Sequence, residues 1–157
     1  MFSHLHRVLG ALGVAVFLGT GVYMLSNFPQ LYQGNEAIRY QFRANHAYIL
    51  LGSLANLLVG LHLGPSPRHW RGRLQALGSL LIALAPPVFI AAFFIEPPRA
   101  SPERLITTGG MALLLTGASL HAMARLTPGP NRPRREHRLL QEGSAVDQEN
   151  VGRRNPS

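Results

Sequence analysis

The side chains most able to do chemistry in this chain sit in or beside apolar runs. They are Arg43, Asn45, His46, Asn56 and His62 within RYQFRANHAYILLGSLANLLVGLHL (39–63), followed by Glu96, Glu103 and His121. A neutral imidazole can ligate a haem iron, relay a proton or hydrogen-bond a neighbour. Arg43 and His46 fall at the same end of the apolar runs as Glu96 and Glu103. Those four can gather into a polar mouth, either as a site or as interfacial anchors with surface ion pairs. Asn45 and Asn56 belong to a different pattern. At about 100° per residue, Asn45, Gly52, Ser53, Asn56 and Gly60 share one helix face with His46 at its margin, while Leu50, Leu54, Leu57, Leu58 and Leu61 share the other. An amide as deep as Asn56 must point away from lipid. It either makes an interhelical hydrogen bond worth about 1 kcal/mol or lines a polar path.

A haem b held by two histidines needs both at one depth on facing helices. His46 has no counterpart at its level. The opposite end is richer, with His4, His6, His62, His69 and His121. His121 shares a face with Gly110 and Gly117, and His62 lies at similar depth, so His62 and His121 are the candidate pair for haem or another metal. His62 projects toward the leucine side near the end of its run, where an interfacial imidazole is the plain alternative.

Other chemistries lack their residues. Without cysteine there is no thiolate nucleophile and no Cys-ligated zinc or iron–sulfur site. No apolar run holds paired carboxylates, and no phosphate loop or HExxH helix occurs. Ser53 and Ser79 read as packing hydroxyls, so no catalytic residue is expected and the chain reads as non-enzymatic. The formal charge is +8, and all 15 basic residues are arginines. Most lie outside the apolar runs, so there is no basic face for nucleic acid.

These residues must be positioned by membrane helices. About 20 apolar residues cross a bilayer, and four segments qualify: 8–26, 41–63, 75–95 and 105–124. The first is too long for a signal-peptide core and is followed by no A-x-A-like cleavage site, so it reads as a retained span. The expected fold is all-α, with an antiparallel bundle of four transmembrane helices over 1–126. The polar stretch 127–157 reads as a disordered tail. Arg68, Arg71 and Arg73 between spans two and three, with Arg125, Arg132, Arg134, Arg135 and Arg138 after span four, place both termini in the cytoplasm. That arginine-rich flank can also lie on anionic lipid headgroups. Ala11, Ala15 and Gly19 in span one, and Gly110, Gly117 and Ala124 in span four, form small-residue stripes that suit close helix packing, and Ala118–Ala122 is a further small pair. Pro86–Pro87 should free carbonyls around Ile82 and Ala83 and kink span three.

Arg43–Asn45 resembles the opening of the second helix in the membrane enzymes of glutathione and eicosanoid metabolism, but the acid that follows there is missing, so no activity carries over. RANHAYILL with the Asn56 helix, anchored on Arg43, His46, Tyr48 and Asn56, resembles bacterial four-span membrane proteins of no assigned activity. The expectation is thus a multi-pass protein of the bacterial inner membrane, an accessory or structural subunit packing with itself or another subunit. A haem- or metal-binding redox subunit and a small oligomeric carrier or channel are the alternatives.

Overall fold

The apolar runs form four helices: α1 (Phe2–Leu31), α2 (Glu36–His62), α3 (His69–Ile95) and α4 (Leu105–Leu126), with a short 3-10 turn, Pro97–Arg99, before the last. The computed structural model describes residues 2–62, 69–99 and 103–126, and among them there is no strand. The expected tail, 127–157, and positions 63–68 of the basic loop lie outside the described residues. A helix of 27 residues is about 40 Å long, close to the thickness of a bilayer with its headgroups. All four helices are long and apolar enough to cross a membrane. The fold is an all-α antiparallel bundle of membrane-spanning type.

The helices extend beyond the apolar cores read from sequence. α1 begins at Phe2 rather than Val8, which places His6 and Arg7 on the helix. α2 begins at Glu36 rather than Gln41 because Asn35 caps it: its side-chain carbonyl accepts the Ile38 N–H at 3.2 Å, and Glu36 complements the helix dipole. Gly34, at φ 81°, makes the tight left-handed turn between α1 and α2.

The pairing is sequential. α1 packs on α2, α2 on α3 and α3 on α4, so α2 and α3 form the centre. Two helix pairs touch backbone to backbone. A Cβ on Gly60 of α2 would stand 2.9 Å from the Arg7 nitrogen of α1. Gly78 and Gly117 join α3 to α4, and a Cβ on either would lie within 2.9 Å of the other's carbonyl oxygen. The buried stripe Gly110–Gly117–Ala124 matches expectation. The stripe expected on α1 does not. Ala11, Ala15 and Gly19 face outward, and the packed face carries His6, Gly10, Gly13, Thr20 and Phe28. Both faces hold small residues at helical spacing, and only the second has Leu57, Ser53 and Asn56 to meet it. Ala118 and Ala122 of α4 are likewise exposed.

The core is aromatic toward the α1–α2 turn. Phe42 packs 5.1 Å from Phe93, 5.6 Å from Phe28 and 5.1 Å from Tyr32. Tyr32, beyond the span, has its phenol held above the usual range by a hydrogen bond with Tyr23 and by burial. Outward positions carry Leu12, Leu18, Val22, Leu54, Leu58, Leu80 and Leu115, as a lipid-facing surface requires.

Candidate functional site

Two buried polar networks hold the bundle together, one near each end. The first is built where α3 ends and α4 begins. Glu96, 5% exposed, directs one carboxylate oxygen at the first turn of α4 and accepts the N–H groups of Ile106 at 2.8 Å and Thr107 at 2.9 Å. The carboxylate therefore acts as the cap for donors that α4 cannot satisfy itself, and its charge suits the positive helix end. Its other oxygen meets the Thr107 hydroxyl and lies 3.8 Å from the Arg104 guanidinium. From α2, Asn45 donates to the Ala92 carbonyl at 2.9 Å. Its side-chain oxygen faces the Arg104 guanidinium and the Thr107 hydroxyl. Arg104 also lies over the Tyr48 ring, 5.7 Å from its centroid. Asn45, Glu96, Arg104 and Thr107 thus tie α2, α3 and α4 into one knot.

The expected polar mouth is recast by this geometry. Asn45 and Glu96 do meet, but the guanidinium that serves them is Arg104. Arg43 and Glu103 are both exposed. His46 turns to α1, one helical step away from Asn45. Its Nδ1 is hydrogen-bonded to the Thr20 hydroxyl at 2.9 Å, and its ring stacks on Phe17 with centroids 4.0 Å apart. The imidazole is a contact between α1 and α2.

The second network turns on a histidine that the sequence placed at this end without giving it a role. His6 of α1 is fully buried, and its Nδ1 lies 2.7 Å from the Asn56 side-chain oxygen. Asn56 spends its two N–H bonds on the carbonyls of Gly52 and Ile82, each at 2.9 Å. Its oxygen must then be an acceptor, so His6 carries its proton on Nδ1. The Ile82 carbonyl is available because Pro86, four residues on, has no N–H to give it. Asn56 thereby connects α1, α2 and α3 at one point. The remaining His6 nitrogen, Nε2, is buried without a hydrogen-bond partner among the described residues.

His62 and His121 also come together, though not on the Asn56 face. With Leu58, Val59 and Arg125 they line a cleft of about 240 Å³ where α2 and α4 end. His62 donates Nδ1–H to the Leu58 carbonyl at 3.0 Å, and His121 Nε2 is hydrogen-bonded to the Ser79 hydroxyl at 3.2 Å. Arg125 donates to the His62 carbonyl at 2.6 Å, which caps the end of α2. No group of three or more potential metal-ligating side chains occurs among the described residues.

Arg104, Thr107 and His6 were the participants missed in sequence. Arg104 and Thr107 carry a weak signal, a basic residue and a hydroxyl three apart at a helix start. His6 carries none, since it lies ahead of the apolar run. No family model, curated protein or solved structure matches the chain.

Proposed function

We propose that this chain is an accessory or structural subunit of a bacterial inner membrane, without catalysis of its own, which associates with itself or with another membrane protein. The observation that carries the reading is the pairing of its deep polar groups. The side chains of Asn45, Asn56 and Glu96 are engaged by neighbouring helices instead of lining an open path. Such a bundle suits holding a shape more than moving an ion. The outward small residues Ala11, Ala15 and Gly19, with Gly109, Ala112 and Thr116 on α4, leave room for another helix to approach. Purified in mild detergent, the protein is expected as a stable homo-oligomer or with a stoichiometric membrane partner. A solitary monomer with no co-purifying subunit would overturn the reading.

Both termini are assigned to the cytoplasm from the arginines of the second loop and the C-terminal flank. A fluorescent protein fused to the C-terminus should then fold and fluoresce, and an alkaline phosphatase fused there should stay inactive.

A second reading draws on the meeting of His62 and His121. A haem b between them would give a red protein with a Soret band lost in His121→Ala. At about 240 Å³ the cleft is below the roughly 300–1,000 Å³ of small-molecule sites, so the helix ends would have to part to admit a macrocycle.

A further inference from the structure

We propose that the cleft between the ends of α2 and α4 seats the headgroup of an anionic phospholipid, its phosphate on Arg125 and His62, while its acyl chains run outside the cleft along the exposed Leu58 and the adjoining Val59. The lining divides by chemistry in the way such a ligand does. Leu58 and Val59 give an apolar wall, while His62, His121 and Arg125 give cationic or hydrogen-bonding groups. No acid lines the cleft among the described residues. Its depth also fits. His62 is the last residue of α2, and Arg125 is the last but one of α4. In a membrane crossed by helices of this length, those positions stand at headgroup level, with Leu58 one turn deeper among the acyl chains.

Arg125 and His62 both have bonding capacity to offer a headgroup. Arg125 is exposed and uses one terminal nitrogen on the His62 carbonyl, so its other N–H groups remain for a phosphate. That hydrogen bond also fixes where the guanidinium lies, so little side-chain freedom is left to lose on binding. His62 has its Nδ1–H committed to the Leu58 carbonyl, so Nε2 is the ring nitrogen left to meet the headgroup. A guanidinium with a planar fork of donors suits a phosphate better than a diffuse positive surface does. Four further arginines follow within residues 127–138, at Arg132, Arg134, Arg135 and Arg138, so the adjoining sequence favours the same sign of ligand. Binding there requires residence in a membrane, as proposed above, but no protein partner, so failure to find a partner leaves it untouched.

The test uses the full-length protein in mild detergent, with phosphatidylglycerol, phosphatidylcholine and inorganic phosphate as separate probes. Native mass spectrometry should show one phosphatidylglycerol retained per chain and no saturable uptake of phosphatidylcholine. Arg125→Gln and His62→Gln should each weaken phosphatidylglycerol binding by about five- to tenfold. Arg43→Gln, an exposed charge at the opposite end of α2, should leave it unchanged. Equal weakening by Arg43→Gln would mean general charge attraction and overturn the site. Inorganic phosphate binding as tightly as the lipid, or a Soret band that Arg125→Gln reduces, would also overturn it. Loss of fold is separated by the melting curve without lipid, which Arg125→Gln and His62→Gln should shift little.

Discussion

Asn56 shows how much one side chain can decide in a bilayer. It donates to the Ile82 carbonyl left bare by Pro86 and to its own helix at Gly52, and it accepts from His6. An unpaired carbonyl in hydrocarbon costs more than in water, where solvent would take it. Asn56→Leu should therefore lower stability in detergent by about 1–3 kcal/mol, read from unfolding by added denaturing detergent. His6→Leu with Asn56→Leu should cost less than the two separate losses combined, since each removes the same contact. Glu96 works similarly at the other end. Glu96→Gln keeps an oxygen for the Ile106 and Thr107 N–H groups but loses the charge facing Arg104. It should destabilise less than Glu96→Ala, and adding Arg104→Gln to Glu96→Gln should recover part of the loss in melting temperature. That Asn56 points inward was legible from its depth alone. Its partners were not: His6 precedes the apolar run, and although Pro86 marks the Ile82 carbonyl as free, nothing in the sequence says which donor meets it.

At the scale of elements, close approach is decided by which glycine meets which. Gly117 and Gly78 place the backbones of α4 and α3 in contact, and Ile82 closes over them. Gly117→Val should cost about 1–3 kcal/mol through overpacking. Gly109→Val, at an outward position with open space around it, should leave the melting temperature of the isolated bundle unchanged. The two differ only in what stands opposite. The small-residue stripes could be located in the sequence, but whether a stripe meets a helix or faces outward could not be decided there. Ala11–Ala15–Gly19 and Gly10–Gly13 lie on one helix, and both satisfy the spacing. Helix ends were misread for a related reason. Hydropathy marks where lipid must be met, whereas the helix continues until a cap ends it, as Asn35 does ahead of α2.

The four described helices form a chain of hairpins. α1 with α2 and α3 with α4 pair most extensively, and the seam between α2 and α3 is stitched by Asn45 to Ala92 and Asn56 to Ile82. Each hairpin has local contacts of its own, so the two should be separable. Co-expressed as residues 1–65 and 66–157, the halves should insert and co-purify. Asn45→Leu with Asn56→Leu should release them from each other while leaving both in the membrane.

What the sequence determined by itself was the class: four apolar stretches long enough to span, with polar groups arranged on one face of the second. Those conclusions follow from solvent, since lipid accepts only helices whose backbone groups are internally paired. Tertiary structure decided everything that depends on which face meets which. It set His46 against Thr20 rather than in a polar mouth, gave the guanidinium role beside Glu96 to Arg104, and brought His62, His121 and Arg125 to one cleft. Helix rotation and pairing come from packing and a few hydrogen bonds between distant residues, and neither is encoded in the hydropathy of a single segment.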